Sequence, residues 1–138
     1  MRLGMSEILQ KASDAPTKEE RINILRQNDH ITFRKMLNLT FNPAVKWLIP
    51  KDIKYKACPD PYDQKTALYN YINKMYLFVE GGHPNLQQKK REDLFVDILE
   101  VIDPEDAKML VSMTQKKLPY NFMTKNLIEE AFPDLYNN

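Results

Sequence analysis

Residues 94–114 read LFVDILEVIDPEDAKMLVSMT and contain parts of two amphipathic helices with a sharp boundary between them. Apolar side chains recur three and four positions apart on both sides of the boundary, which is the period of an α-helix. At the boundary, Asp103 is a typical N-cap, Pro104 takes the first helical position, and Glu105 and Asp106 lie at the positive end of the helix dipole. The stretch therefore predicts a helix over 85–102 and another that begins after Asp103 and ends before Pro119.

The same period continues towards the N-terminus. It predicts a short helix over 5–12, a second helix capped by Thr17, and a third that is capped by Asp29 and ends near Pro43. We therefore expect three further helices in the first third of the chain.

Residues 50–63 differ, because prolines and lysines alternate there with Ile53 and Tyr55 and no period persists. We interpret this segment as a long ordered loop. Helical spacing returns from Asp63 to Gly82, and Thr124 can cap a last helix. The pattern predicts an all-α fold in which residues 1–138 form a single compact domain of about seven helices with one long Pro/Lys-rich loop.

Composition excludes several classes of protein. The 138 residues include 20 Lys+Arg and 19 Asp+Glu, so the net charge of +1 gives no global field towards nucleic acid or membranes. No apolar run approaches the ~20 residues of a membrane-spanning helix, and the N-terminus lacks the apolar core of a signal peptide. The one cysteine, Cys58, excludes an internal disulfide. We expect no membrane partner and a cytoplasmic location, which is the host cytoplasm if a phage encodes the chain.

Enzyme motifs are missing from the sequence. No lysine begins the Lys-x-Asp-Gly run of a nucleotidyltransferase, and the three glycines, Gly4, Gly81 and Gly82, cannot form a P-loop. The two histidines, His30 and His83, are too far apart to bind a metal at helical spacing. We therefore expect no enzymatic activity, no cofactor and no metal.

Charge is segregated along the chain. Residues 34–56 carry six basic side chains against one acid, residues 92–106 carry seven acids and no base, and residues 107–128 carry four lysines and no acid. Segregation of this kind favours one basic and one acidic surface. Chance clustering of charges on solvated faces explains it equally well.

The joint between the last two helices, Lys116 to Lys125, is the first candidate binding segment. Lysines flank it on both sides, and the polar side chains of Asn121 and Thr124 between them can donate to phosphate oxygens. The alternative is an ordinary corner between helices in which Tyr120, Phe122 and Met123 belong to the core. The loop segment 51–56 is a second candidate, in which Tyr55 can stack on bases only if its ring is exposed.

Several short motifs occur in the order and spacing of a known domain. They are Thr17-Lys18, Ile24-Leu25, Asn28, Phe33-Arg34-Lys35, Leu39-Thr40-Phe41, Trp47-Leu48-Ile49, Asn126-Leu127-Ile128 and Ala131-Phe132-Pro133-Asp134-Leu135. Together they resemble the helical N-terminal DNA-binding domain of ATP-dependent DNA ligases from tailed phages. The resemblance covers roughly residues 5–135 of this sequence.

The resemblance implies an all-helical module without catalytic residues that grips duplex DNA through the minor groove and backbone, here as a stand-alone small phage protein. We expect it to hold double-stranded DNA by backbone contacts with little sequence preference. About six phosphate contacts would give a slope of roughly −5 for log affinity against log salt. The predicted binding residues are Lys116, Lys117, Asn121, Thr124 and Lys125 at the joint, with Arg34, Lys35, Lys46, Lys51, Lys54 and Lys56 as a supporting basic surface.

The rival hypothesis is a module that binds a phage or host protein. The acids of residues 92–106 would dock a basic partner, and charge reversal at Asp97 and Glu100 would then abolish binding. Four tyrosines expected to be exposed would anchor such an interface: Tyr62, Tyr69, Tyr76 and Tyr136.

Overall fold

Six α-helices and two 3₁₀ helices account for the regular structure in the computed structural model, which describes residues 3–59 and 64–137. In chain order they are α1 (Met5–Asp14), α2 (Lys18–Gln27), α3 (Ile31–Phe41), the 3₁₀ helices η1 (Ala67–Asn70) and η2 (Ile72–Phe78), α4 (Gln88–Leu99), α5 (Pro104–Met113) and α6 (Lys125–Ala131). The predicted all-α, single compact domain is confirmed. None of the described helices is both long and apolar enough to cross a membrane.

The core forms where α1 packs on α2 and α5, and where α6 packs on α2. Its largest side chains are aromatic: the Phe33 and Phe132 rings meet edge to face at 6.5 Å between centroids, and those of Phe78 and Phe95 at 5.0 Å. Trp47 is half-buried at the edge of the second pair, and its indole nitrogen donates to the Leu39 carbonyl at 3.0 Å. The apolar stripes of the sequence therefore meet in one core.

Three of the four predicted helix caps are present. The side chains of Thr17, Asp103 and Thr124 accept hydrogen bonds from the backbone amides that open α2, α5 and α6. The prediction that Asp29 caps α3 is wrong. His30 is the cap, since its Nδ1 accepts from the Thr32 amide at 3.1 Å, while the Asp29 carboxylate binds Arg34.

The predicted helix over residues 63–82 is not an α-helix. Two 3₁₀ helices take its place in the described part, residues 64–82. The buried side chains Tyr69, Ile72, Met75 and Phe78 recur at intervals of three, and a 3₁₀ helix with three residues per turn places all four on one side. The expected α period of 3.6 would have turned Phe78 out of line with Tyr69.

Candidate functional site

The joint between α5 and α6 has an unusual backbone. Lys116 and Phe122 both adopt left-handed conformations, with φ of 64° and 69°. A residue with a Cβ atom loses about 1–2 kcal/mol in this region, so the surrounding contacts must hold the joint in place. One such contact is the Ser112 hydroxyl, which donates to the Lys117 carbonyl at 2.9 Å.

Lys116 supplies another of these contacts. Its ammonium group donates to the carbonyls of Asn42 and Val45, at 2.6 and 2.9 Å, and so ties the joint to the turn after α3. Burial lowers the pKa of Lys116, and the nearby positive charge of Lys125 lowers it further. Two carbonyls already bind the Lys116 ammonium, which leaves it one N–H for the predicted phosphate contact.

The other predicted residues of the joint face solvent. Lys117, Asn121, Thr124 and Lys125 are exposed. The Thr124 oxygen accepts from the Leu127 amide at 3.3 Å, which leaves its O–H proton able to donate. Lys46 is also exposed and directly follows Val45, whose carbonyl binds Lys116. We call Lys46, Lys117 and Lys125 the exposed lysines of the joint.

Phe122 and Arg21 form a feature that the sequence did not reveal. The ordinary corner that was the alternative prediction has both Met123 and Phe122 in the core. Met123 is buried as expected, whereas the Phe122 side chain is 52% exposed. The Arg21 guanidinium carbon lies 3.6 Å from the centroid of its ring. Arg21 lies about a hundred residues earlier, in α2, so no local spacing could have indicated the contact.

The predicted supporting surface is only partly available. Arg34 binds Asp29 through two contacts at 2.6 and 3.0 Å and Asp134 at 2.9 Å, and both interactions raise its pKa. These carboxylates already bind the guanidinium and therefore compete with the phosphate contact predicted for Arg34. The Lys35 ammonium donates to the Asn73 side chain at 2.9 Å but stays exposed.

The loop lysines have acidic neighbours. Lys51, Lys54 and Lys56 are exposed, and the Lys56 amide donates to the Glu100 carboxylate at 2.8 Å. Tyr55 is half-buried, and this burial raises the pKa of its hydroxyl. The condition for Tyr55 to stack on bases, an exposed ring, is therefore not met.

The acidic stretch separates into structural and exposed carboxylates. Asp103 caps α5, and Asp106 is fully buried with one oxygen accepting from the Ser6 amide at 3.0 Å. The other oxygen of Asp106 has no partner among the described residues. Burial, with the negative charges of Asp103 and Glu7, raises the pKa of Asp106 to about 6.

Only one of the expected exposed tyrosines is confirmed as exposed. Tyr76 is 51% exposed, whereas Tyr69 is buried and donates to the Leu3 carbonyl at 2.8 Å. Tyr136 is half-buried and donates to Glu129 at 2.8 Å, so its prediction and that of Tyr69 are wrong. Tyr62 lies outside the described residues.

Tyr76 lines a surface groove of about 440 Å³ between η2 and α4. Its lining is mainly apolar and includes the exposed Val101 and two charged side chains, Lys74 and Asp97. Within residues 3–59 and 64–137, no three His, Cys, Asp or Glu side chains are close enough together to hold a metal ion.

Comparison with known proteins gives a match to a protein family. No curated protein and no solved structure matches the chain. The sequence profile of one family matches residues 8–120, from α1 to the first half of the joint, while Asn121 to Lys125 follow the matched part. Because the match covers most of the chain, the protein belongs to this family, a family of unknown function (DUF6433).

Proposed function

We propose that this chain is a non-catalytic module that holds double-stranded DNA by backbone contacts with little sequence preference. The observation that carries the proposal is the group of exposed lysines at the joint, Lys46, Lys117 and Lys125. None of them forms an ion pair with an acid in the part of the chain that the structure describes. Cations without acidic partners can neutralise phosphates and release counterions.

Two polar side chains support the same surface. Asn121 and Thr124 lie between Lys117 and Lys125 and are exposed, so that they can donate hydrogen bonds to phosphate oxygens. The resemblance to the DNA-binding domain of tailed-phage ligases points to the same partner, and on this reading the chain works in the host cytoplasm.

The structure changes the expected strength of the interaction. With Arg34 and Lys116 engaged inside the protein, the joint keeps three exposed lysines. Lys35 and the loop lysines are also exposed, but in the described part of the chain they form no hydrogen bond with the joint, and we leave them out of the count. Three phosphate contacts give a slope of about −3 for log affinity against log salt, instead of the slope of roughly −5 for six contacts.

Fluorescence anisotropy with a labelled duplex tests the proposal. The double variant Lys117→Ala/Lys125→Ala should reduce the slope by about two, because each lysine accounts for about one phosphate. The matched control is Lys11→Ala/Lys89→Ala, which removes the same charge from exposed positions in α1 and α4. Equal effects of the two double variants would show that only total charge matters and would remove the joint from the site.

A second candidate function is docking of a protein segment in the groove beside Tyr76. The apolar lining and the exposed Asp97 carboxylate complement a segment in which apolar side chains alternate with basic ones, while the Lys74 ammonium in the same lining lies over the Tyr71 ring, 5.6 Å from its centroid. Glu100 is a weaker candidate, because the Lys56 amide occupies its carboxylate.

Defined peptides distinguish this candidate from DNA binding. The ¹⁵N-labelled protein would be titrated with an acetylated Leu-Arg-Leu-Arg peptide and with its Leu-Glu-Leu-Glu counterpart. Docking predicts that the NMR signals of residues around Tyr76 shift with the basic peptide but not with the acidic one. These shifts should be absent in Asp97→Lys. Identical spectra with and without the basic peptide would refute this occupant of the groove.

A further inference from the structure

Phe122 combines strain with exposure. Its φ of 69° is a rare conformation for a bulky residue, and its side chain is 52% exposed although it is aromatic. Each property by itself lowers stability or solubility. Backbone strain of this kind is concentrated at functional sites, where the surrounding structure enforces it.

Arg21 fixes the ring from one side. Its guanidinium carbon lies 3.6 Å from the ring centroid, and one of its terminal nitrogens donates to the Pro16 carbonyl at 3.5 Å. The buried Nε atom has no partner among the described residues, so stacking on the ring is its main contact. Because Arg21 covers one face of the ring, a flat ligand that stacks on Phe122, which is 52% exposed, must use the opposite face, which we call the open face.

Polar and cationic residues flank Phe122 in the chain. Asn121 precedes Phe122 in the chain, and Thr124 and Lys125 follow it, all with exposed side chains. An aromatic ring held rigidly among cationic and polar side chains is the arrangement on which proteins stack unpaired bases.

We propose that the open face of Phe122 stacks on an unpaired DNA base, so that the module prefers gapped DNA to continuous duplex. This inference rests on the proposed DNA-binding function and names the form of DNA that the site selects. In a continuous duplex each base is already stacked on both faces, whereas a gap leaves base faces open to the ring. The contribution of one stacked base corresponds to a preference of at least about fivefold.

Competition between a gapped and a continuous duplex of the same length tests the inference on the full chain. The wild-type protein should bind the gapped DNA at least about fivefold more tightly. Phe122→Leu, which keeps an apolar side chain without a ring, should reduce the ratio to about one, whereas Phe122→Tyr should retain it. The salt dependence on continuous duplex should be the same in all three proteins.

Two further variants keep the result interpretable. Phe122→Gly removes the ring and fits a φ of 69° without strain, so it should remain folded and lose the preference. Ile31→Ala removes an apolar side chain that is 80% exposed at the start of α3, and should keep the preference. Fluorescence of 2-aminopurine placed in the gap should change on binding to the wild type and not to Phe122→Leu.

The two proposals fail in different ways. The stacking role would be overturned, while duplex binding stands, if the wild type binds the two DNAs with equal affinity. A preference for gapped DNA that survives in Phe122→Leu and Phe122→Gly would overturn it in the same way. Absence of binding to either DNA at low salt would overturn both proposals.

Discussion

The buried carboxylate of Asp106 makes stability depend on pH in a specific direction. Its pKa rises from 3.8 to about 6 in the folded protein, which corresponds to about 3 kcal/mol. Between these two values the folded state binds more protons than the unfolded state. The free energy of unfolding should therefore fall by about 2 kcal/mol as the pH rises from about 4 to about 6, and level off above about pH 7.

Asp29 and Asp134 make stability depend on pH in the opposite direction to Asp106, and they do so in a different pH range. Arg34 lowers the pKa of both carboxyl groups below 3.8, so the stability that they contribute is lost only as the pH falls further. The window from about pH 4 to pH 6 is therefore specific to Asp106 among the groups whose pKa is shifted. The isosteric change Asp106→Asn should remove the slope in this window.

Urea unfolding followed by Trp47 fluorescence at a series of pH values measures the slope. The absolute stability of Asp106→Asn is a poorer indicator than the pH slope. The substitution also replaces a carboxylate oxygen that has no partner by an amide N–H₂ group, which changes the stability at every pH. Glu105→Gln, an exposed change in the same helical turn, is the matched control and should leave the slope intact. A free energy that stays constant or rises across this window in the wild type, or a slope that persists in Asp106→Asn, would refute the reasoning.

Three further predictions concern the backbone and the ion pairs. Arg34→Gln should lower the free energy of unfolding by about 1 kcal/mol, measured by chemical denaturation, and leave DNA affinity unchanged, measured by anisotropy. A loss of affinity would return Arg34 to the DNA interface. Thr124→Ala should cost about 1 kcal/mol through the lost cap of α6, whereas Thr124→Ser should cost little, and equal losses in denaturation would contradict the capping role. Gly82→Ala should destabilise the protein more than Gly81→Ala. A Cβ atom at residue 82 would clash with the Tyr76 backbone, whereas a Cβ atom at residue 81 meets no atom within 4 Å and adds only backbone strain at a φ of 85°. Melting temperatures in the reverse order would contradict this difference.

Local signals predicted most of the helices and their ends. Asp103 followed by Pro104, and Thr17 and Thr124 before their helices, act through hydrogen bonds that span only a few residues, so a pattern in the sequence describes them fully. The apolar stripes of α1, α3 and α5 likewise follow from a period that depends on the backbone alone.

The pairing of charged residues could not be predicted in the same way. Arg34 meets Asp134 one hundred positions later, and Lys116 meets the carbonyls of Asn42 and Val45 more than seventy positions earlier. These contacts depend on how the helices pack. The sequence around a lysine that binds carbonyls does not differ from that around an exposed lysine. For this reason the proposed DNA interface leaves out Arg34 and Lys116 while it keeps Lys117 and Lys125.

One feature had a weak signal that the helical period concealed, and a second feature had none. The interval of three from Tyr69 to Phe78 is visible in the sequence, but it also fits an α-helix over short distances. Arg91 is buried and donates to the carbonyls of Leu77 and His83, at 2.9 and 3.1 Å, which holds the turn after η2. An arginine in the first turn of a helix gives no indication that it is buried.

Duplex binding as a function of salt tests the central claim most directly. Anisotropy of a labelled continuous duplex would be measured over a range of salt concentrations with the wild-type chain and with Lys117→Ala/Lys125→Ala. The proposed DNA interface predicts binding that weakens with a slope of about −3 and a slope of about −1 in the double variant. No binding at low salt, or the same slope in both proteins, would contradict it.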